Sequence, residues 1–165
     1  MSAERDYEIR QGATWSVALT VLTGSEGLTW RDAWSGTAAY AIDDAVSYNG
    51  AYWKCVTAHT NQTPVEGVYW AAINPVNLNG ATITGAIRER PGATLAGTLT
   101  CTVTDAAGGK VTITISDELT ALIAASSSYA KAKTYYYDVL LERSDGVAYY
   151  ILYGKMSVWG GVQIV

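Results

Sequence analysis

Residues 45–56 read AVSYNGAYWKCV, and the pair Asn49-Gly50 at their centre decides how they fold. Asn and Gly both tolerate the positive φ of a type I′ turn, so two short apolar runs joined by that pair predict a β-hairpin with a two-residue loop. The register follows from the turn. Tyr48 lies opposite Ala51, Val46 faces Trp53 and Asp44 faces Cys55, because side chains alternate between the two faces of a ribbon. Val46, Tyr48, Trp53 and Cys55 then share one face, and Ser47, Tyr52, Lys54 and Val56 the other.

Outward from the hairpin, residues 30–70 form a block unusually rich in Trp and Tyr. Trp30, Trp34, Trp53 and Trp70 lie in it, as does the single histidine, His59. Trp34, Tyr40 and Trp70 are candidates to close the hairpin's apolar face, which gives a module core of Trp34, Tyr40, Val46, Tyr48, Trp53 and Trp70. Roughly 45 residues is near the lower limit for independent folding, and large aromatic rings are one way to find enough buried area. Tyr52 sits on the other face beside Ser47 and Lys54, where a flat ring can stack on a sugar or on a neighbouring subunit. Trp30 and Tyr69 are the further candidates for such contact. His59, in a loop beside Thr60 and Asn61, is expected to brace that loop through a hydrogen bond.

The flanks follow a different rhythm. Residues 13–23, ATWSVALTVLT, alternate Trp15, Val17, Leu19 and Val21 against Thr14, Ser16, Ala18 and Thr20, the pattern of a half-buried strand. Residues 24–27, GSEG, break it. After Asn74-Pro75 a second strand alternates Thr82, Thr84 and Ala86 with Ile83, Gly85 and Ile87. Next comes a hairpin about residues 106–109, AAGG, with Leu99, Cys101, Val103, Val111, Ile113 and Ile115 inward. Ser116, followed by Asp117 and Glu118, predicts the N-cap and first turn of a short helix running to about Ala125 and ended by residues 126–128, SSS. The last hairpin turns at Ser144-Asp145-Gly146. Its first strand sets Tyr135, Tyr137, Val139 and Leu141 against Tyr136, Asp138, Leu140 and Glu142, so both faces are partly apolar and a sheet covered on two sides is expected. The fold class is therefore all-β, a mainly antiparallel β-sandwich with one short helix, formed by residues 1–27 plus 76–165. Residues 28–75 are inserted into it as a small aromatic-rich β module. Residues 1–27 must pair with strands beyond residue 76.

Composition narrows the function. Apolar residues make up 49% of the 165 and charged residues 16%, so the chain is globular and its surface weakly charged, as suits a protein held in an assembly. A net charge of −4 supplies no basic field for phosphate, which argues against nucleic acid as a partner. No run of 18 apolar residues occurs, so no membrane insertion is expected. The first twelve residues carry charges and no apolar run, so synthesis in the cytoplasm without a leader is expected. Two cysteines and one histidine cannot make a metal set at these spacings, and no cofactor is implied. A disulfide between Cys55 and Cys101 would have to bridge the two modules, and two buried thiols are the simpler expectation. No catalytic set is visible: in Asp43-Asp44, neighbouring strand residues point to opposite faces and cannot flank one bond.

Trp34, Tyr40, Asp44, Val46, Tyr48, Gly50, Trp53, Thr60, Pro64, Tyr69 and Trp70 together resemble the pattern of the small chitin- and cellulose-binding modules of carbohydrate-binding families 5 and 12. The block is also similar to copies found in bacteriophage tail-fibre and other virion proteins. Asp43 stands where the pattern has Gly, and Trp53 where it has Tyr. In the loop before Pro64, where chitin-binding members often carry an exposed aromatic, this chain has Asn61, Gln62 and Thr63. The flanks resemble a small phage virion domain, through Gln11, Gly12, Thr14, Leu78, Gly80, Ile87, Arg88, Ser116, Thr120, Tyr137, Asp138, Gly154 and Val158, with Ile123 in place of a Leu. Together the resemblances imply a non-enzymatic virion structural protein, a decoration or adaptor on capsid or tail. It would partner other virion proteins as a homo-oligomer and contact a cell-surface polysaccharide through the inserted module. The chain ends soon after its last strand, which favours decoration over a long fibre. The alternative is a stand-alone lectin for chitin-like polysaccharide.

Overall fold

The computed structural model describes residues 3–24, 27–126 and 131–160. In chain order its strands are β1 (Ala3–Glu4), β2 (Tyr7–Arg10), β3 (Trp15–Thr20), β4 (Thr29–Ala33), β5 (Ala39–Tyr40), β6 (Asp44–Tyr48), β7 (Ala51–Cys55), β8 (His59–Thr60), β9 (Trp70–Ile73), β10 (Thr82–Arg88), β11 (Leu95–Asp105) and β12 (Lys110–Ile115). After helix α1 (Asp117–Leu122) come β13 (Lys133–Glu142) and β14 (Ala148–Trp159). The protein is all-β with one short helix. It divides into two compact units, Met1–Val21 with Asn77–Val165, and Leu22–Val76.

In the first unit the strands follow one hydrogen-bonded path, β1-β14-β13-β10-β11-β12-β3, with β2 also on β14. The N-terminal strands do pair beyond residue 76: β3 lies antiparallel to β12, and β1 and β2 run parallel to β14. β11 is shared. Its first part, Leu95–Leu99, pairs with β10, and its second, Thr100–Asp105, pairs with β12, so one strand joins the two arms of the path. The inward set Ile87, Leu99, Val111, Ile113, Ile115, Tyr135, Tyr137, Val139, Leu141, Met156 and Val158 is buried. Val103, expected inward, is exposed. It lies where a register shift between Val103 and Asp105 bends the hairpin end away from the regular ladder.

β1 and β2 are in effect one edge strand interrupted at Arg5-Asp6. There the Asp6 carboxylate replaces a backbone carbonyl and accepts from the Lys155 amide at 2.8 Å, while the Tyr137 hydroxyl donates to Arg5 O at 2.7 Å. The backbone passes so close to Gly154 that any Cβ there would collide with Arg5 O, which accounts for a glycine inside the long β14. Burial and nearby Tyr7 and Asp6 push the Tyr137 phenol far above its usual value.

Helix α1 begins as expected, with the Ser116 hydroxyl accepting from the Leu119 amide, but ends at Leu122, short of Ala125. Ile123 leaves the helix in an extended conformation and is buried, so burying that side chain overrides another turn of helix. Ser127 and Ser128 lie outside the described residues, as do Ser25 and Glu26 of the first loop. The final hairpin turns where expected, with Gly146 at φ 80°. Among the described residues its second face is left uncovered: Tyr136, Tyr150 and Tyr153 are exposed there.

Candidate functional site

The second unit is closed at its neck by the bridge between Leu22 and Pro75 and by the Thr23 amide donating to Asn74 O at 2.8 Å. Those contacts tie Leu22 and Thr23 to the far end of the module. Inside, β4, β6, β7 and β9 form one sheet, and β5 pairs with β8 in a two-stranded ribbon. The central hairpin has the predicted register, Val46 opposite Trp53 and Tyr48 opposite Ala51, and the predicted turn, with Asn49 at φ 49° and Gly50 at φ 75°.

Tyr40, Val46, Cys55 and Trp70 are the buried core, and Trp34, Ala38 and Trp53 pack on it. Trp70 is fully buried, and its indole N–H donates to Gln62 O at 2.8 Å. A Trp withdrawn from water in this way contributes about 5 kcal/mol of gross burial. The Tyr40 ring meets Trp70 edge-on at 5.1 Å, and its hydroxyl accepts from the Ser35 amide and donates to Ser35 O. Tyr48 meets Trp34 edge-on at 5.2 Å. Asp44 is buried, and its Oδ2 accepts from Arg31 Nη1 and from the Ala41 amide, both at 2.9 Å. Its carboxylate braces the chain ahead of the hairpin and is not presented to a ligand.

His59 departs from expectation. Neither ring nitrogen has a hydrogen-bond partner among the described residues. Its imidazole is packed as an aromatic ring, 4.8 Å from Trp70, 5.2 Å from Tyr69 and 5.6 Å from Tyr40. Burial holds its pKa below the usual histidine value. Only its backbone braces the loop, by pairing with Tyr40. The indole N–H groups of Trp34 and Trp53 are likewise shielded and unpartnered.

The three candidate contact residues separate into two places. Trp30 and Tyr52 come together, ring centroids 5.8 Å apart and tilted by 48°, because β4 lies parallel to β6 and sets Trp30 beside Ala45, next to the strand that carries Tyr52. Trp30 is 42% exposed, enough for a face to meet a ligand. Tyr69, 38% exposed, instead has its ring against His59. Val65 and Val68 beside it are strongly exposed, and sequence reading did not single them out. An aromatic pair on a solvent-facing sheet surface, above a core spent on larger rings, is an arrangement suited to stacking on the apolar face of a sugar. Residues 33–68 match carbohydrate-binding module family 5/12.

The matched stretch covers the hairpin, the β5–β8 ribbon and Tyr52, while Trp30 and Tyr69 flank it. Asp43, where the family resemblance has glycine, has φ 70°, the left-handed conformation that glycine adopts without cost. No curated protein matches the chain. Among the described residues no group of three or more His, Cys, Asp or Glu could hold a metal ion, both cysteines are free thiols, and no helix is long and apolar enough to cross a membrane.

Proposed function

We propose that the inserted module binds a chitin-like polysaccharide weakly, through Trp30 and Tyr52, and does not cleave it. The family match over residues 33–68 carries this reading. The tilt between the two rings lets a pyranose lie flat on one ring at a time, which suits weak contact. Weak single contacts become useful when several copies act together, so we place the protein in a homo-oligomeric assembly, as a decoration or adaptor protein of a phage capsid or tail, made in the host cytoplasm. The resemblance of the flanking strands to virion domains supports that placement. Asp44 is buried and engaged by Arg31 and the Ala41 amide, which supports a structural rather than a catalytic role for that carboxylate.

The family match supports a stand-alone lectin equally well. A pull-down on insoluble chitin and cellulose, with parallel sedimentation of phage particles, separates the two. Retention on chitin that falls at least tenfold in Trp30→Ala and Tyr52→Ala, with no protein on particles, favours the lectin. Co-sedimentation with particles favours the virion role. Retention unchanged in both variants would sink the Trp30–Tyr52 site.

A further inference from the structure

The uncovered face of the first unit is ordered rather than merely apolar. Strands β10, β13 and β14 set out three rows on it: Thr84, Leu140 and Tyr150; Ala86, Asp138 and Tyr153; Arg88, Tyr136 and Lys155. β1 extends the middle row, because Glu4 pairs with Tyr153. The exposed Tyr153 therefore lies between strands carrying two carboxylates, Asp138 and Glu4, with neighbouring strands about 4.8 Å apart. These residues line a single open groove of about 840 Å³.

We infer that this groove is a second binding site, for a neutral polysaccharide strand. Rings of Tyr136, Tyr150 and Tyr153 offer faces for sugar C–H groups, and acceptors stand on both sides of the middle ring for vicinal hydroxyls. Two acids, Asp138 and Glu4, balance two bases, Arg88 and Lys155, so the groove selects no ligand charge. Asp138 makes no side-chain hydrogen bond or ion pair to any described residue, while Arg88 is already donating to Ala93 O at 3.1 Å. A second copy of the chain fits this face poorly. Asp138 is the centre of the three-by-three array, and a two-fold contact about that centre would set carboxylate against carboxylate.

The choice of ligand class rests on the glycan reading of the module, and the test keeps the two apart. The full chain is titrated with soluble chitohexaose and cellohexaose, following Tyr and Trp side-chain NMR signals, in wild type, Tyr153→Ala, Asp138→Asn and Trp30→Ala. All three positions are accessible enough for the substitutions to leave the fold intact. The expected result is about a tenfold weaker affinity for the groove signals in Tyr153→Ala and Asp138→Asn, with the Trp30 and Tyr52 signals still titrating. Binding that depends on Trp30 alone overturns the groove and leaves the module's function standing. Titration of neither set overturns both, and concentration-dependent dimerisation abolished by Tyr153→Ala assigns the face to a second copy instead.

Discussion

His59 carries the strongest consequence at the scale of single residues. Its ring is enclosed by Tyr40, Tyr69 and Trp70, and burial lowers its pKa from 6.5. Below that value the unfolded chain binds a proton that the folded module resists, so the unfolded state gains. Stability is therefore full above pH 6.5, falls as the pH drops below it, and levels off once the folded-state pKa is passed. We expect the melting temperature of the wild type to fall relative to that of His59→Phe between pH 7.5 and about pH 5. Parallel melting curves for the two proteins across that range would remove the effect. Sequence reading placed His59 in its loop but gave it a hydrogen bond, because the three rings around it come from residues 40, 69 and 70 and meet only after folding. Cys101 is a companion case. Burial raises its thiol to about 11, so in the native protein it should resist alkylation at pH 8, as mass spectrometry of iodoacetamide-treated protein would check.

Local signals did best at the scale of elements. Asn49-Gly50 fixed turn type and register together, since a two-residue I′ loop leaves no freedom in the pairing of Val46 with Trp53. Ser116 fixed the start of α1 but not its end, because the end depends on where Ile123 finds a buried site. Asp43 shows what a departure from a family pattern means physically. Its φ of 70° costs a side-chain-bearing residue about 1–2 kcal/mol, least for Asp and Asn. Asp43→Val should therefore lower the module's stability by about 1–2 kcal/mol, while Asp43→Gly should stay within about 0.5 kcal/mol of wild type. Urea midpoints would check both, and equal loss in the two variants would mean that the carboxylate, not the backbone, matters there.

On the scale of the whole molecule, each of the two compact units has its own buried set. Trp70→Ala removes the largest side chain of the module core, at a cost of about 3–5 kcal/mol. That is comparable with the entire stability of a unit this small. Hydrogen exchange on the variant should show amides of Ala51–Cys55 losing protection while those of Lys133–Glu142 keep theirs; loss in both would mean that the units unfold as one.

The sequence by itself determined what short-range chemistry controls: the central hairpin and its turn, the alternating strands β3 and β10 to β14, the start of α1 and the all-β class. Side-chain alternation and turn residues act over two to six positions, so they are readable in one dimension. Only the tertiary structure decided which residues meet across long separations. It joined Trp30 to Tyr52 and set Tyr69 apart against His59. It also passed the path through a shared β11, and it left the face of Tyr136, Asp138 and Tyr153 open where two partly apolar faces had predicted a cover. Alternation tells which residues share a face of a strand; whether anything lies against that face depends on packing between elements far apart in the chain.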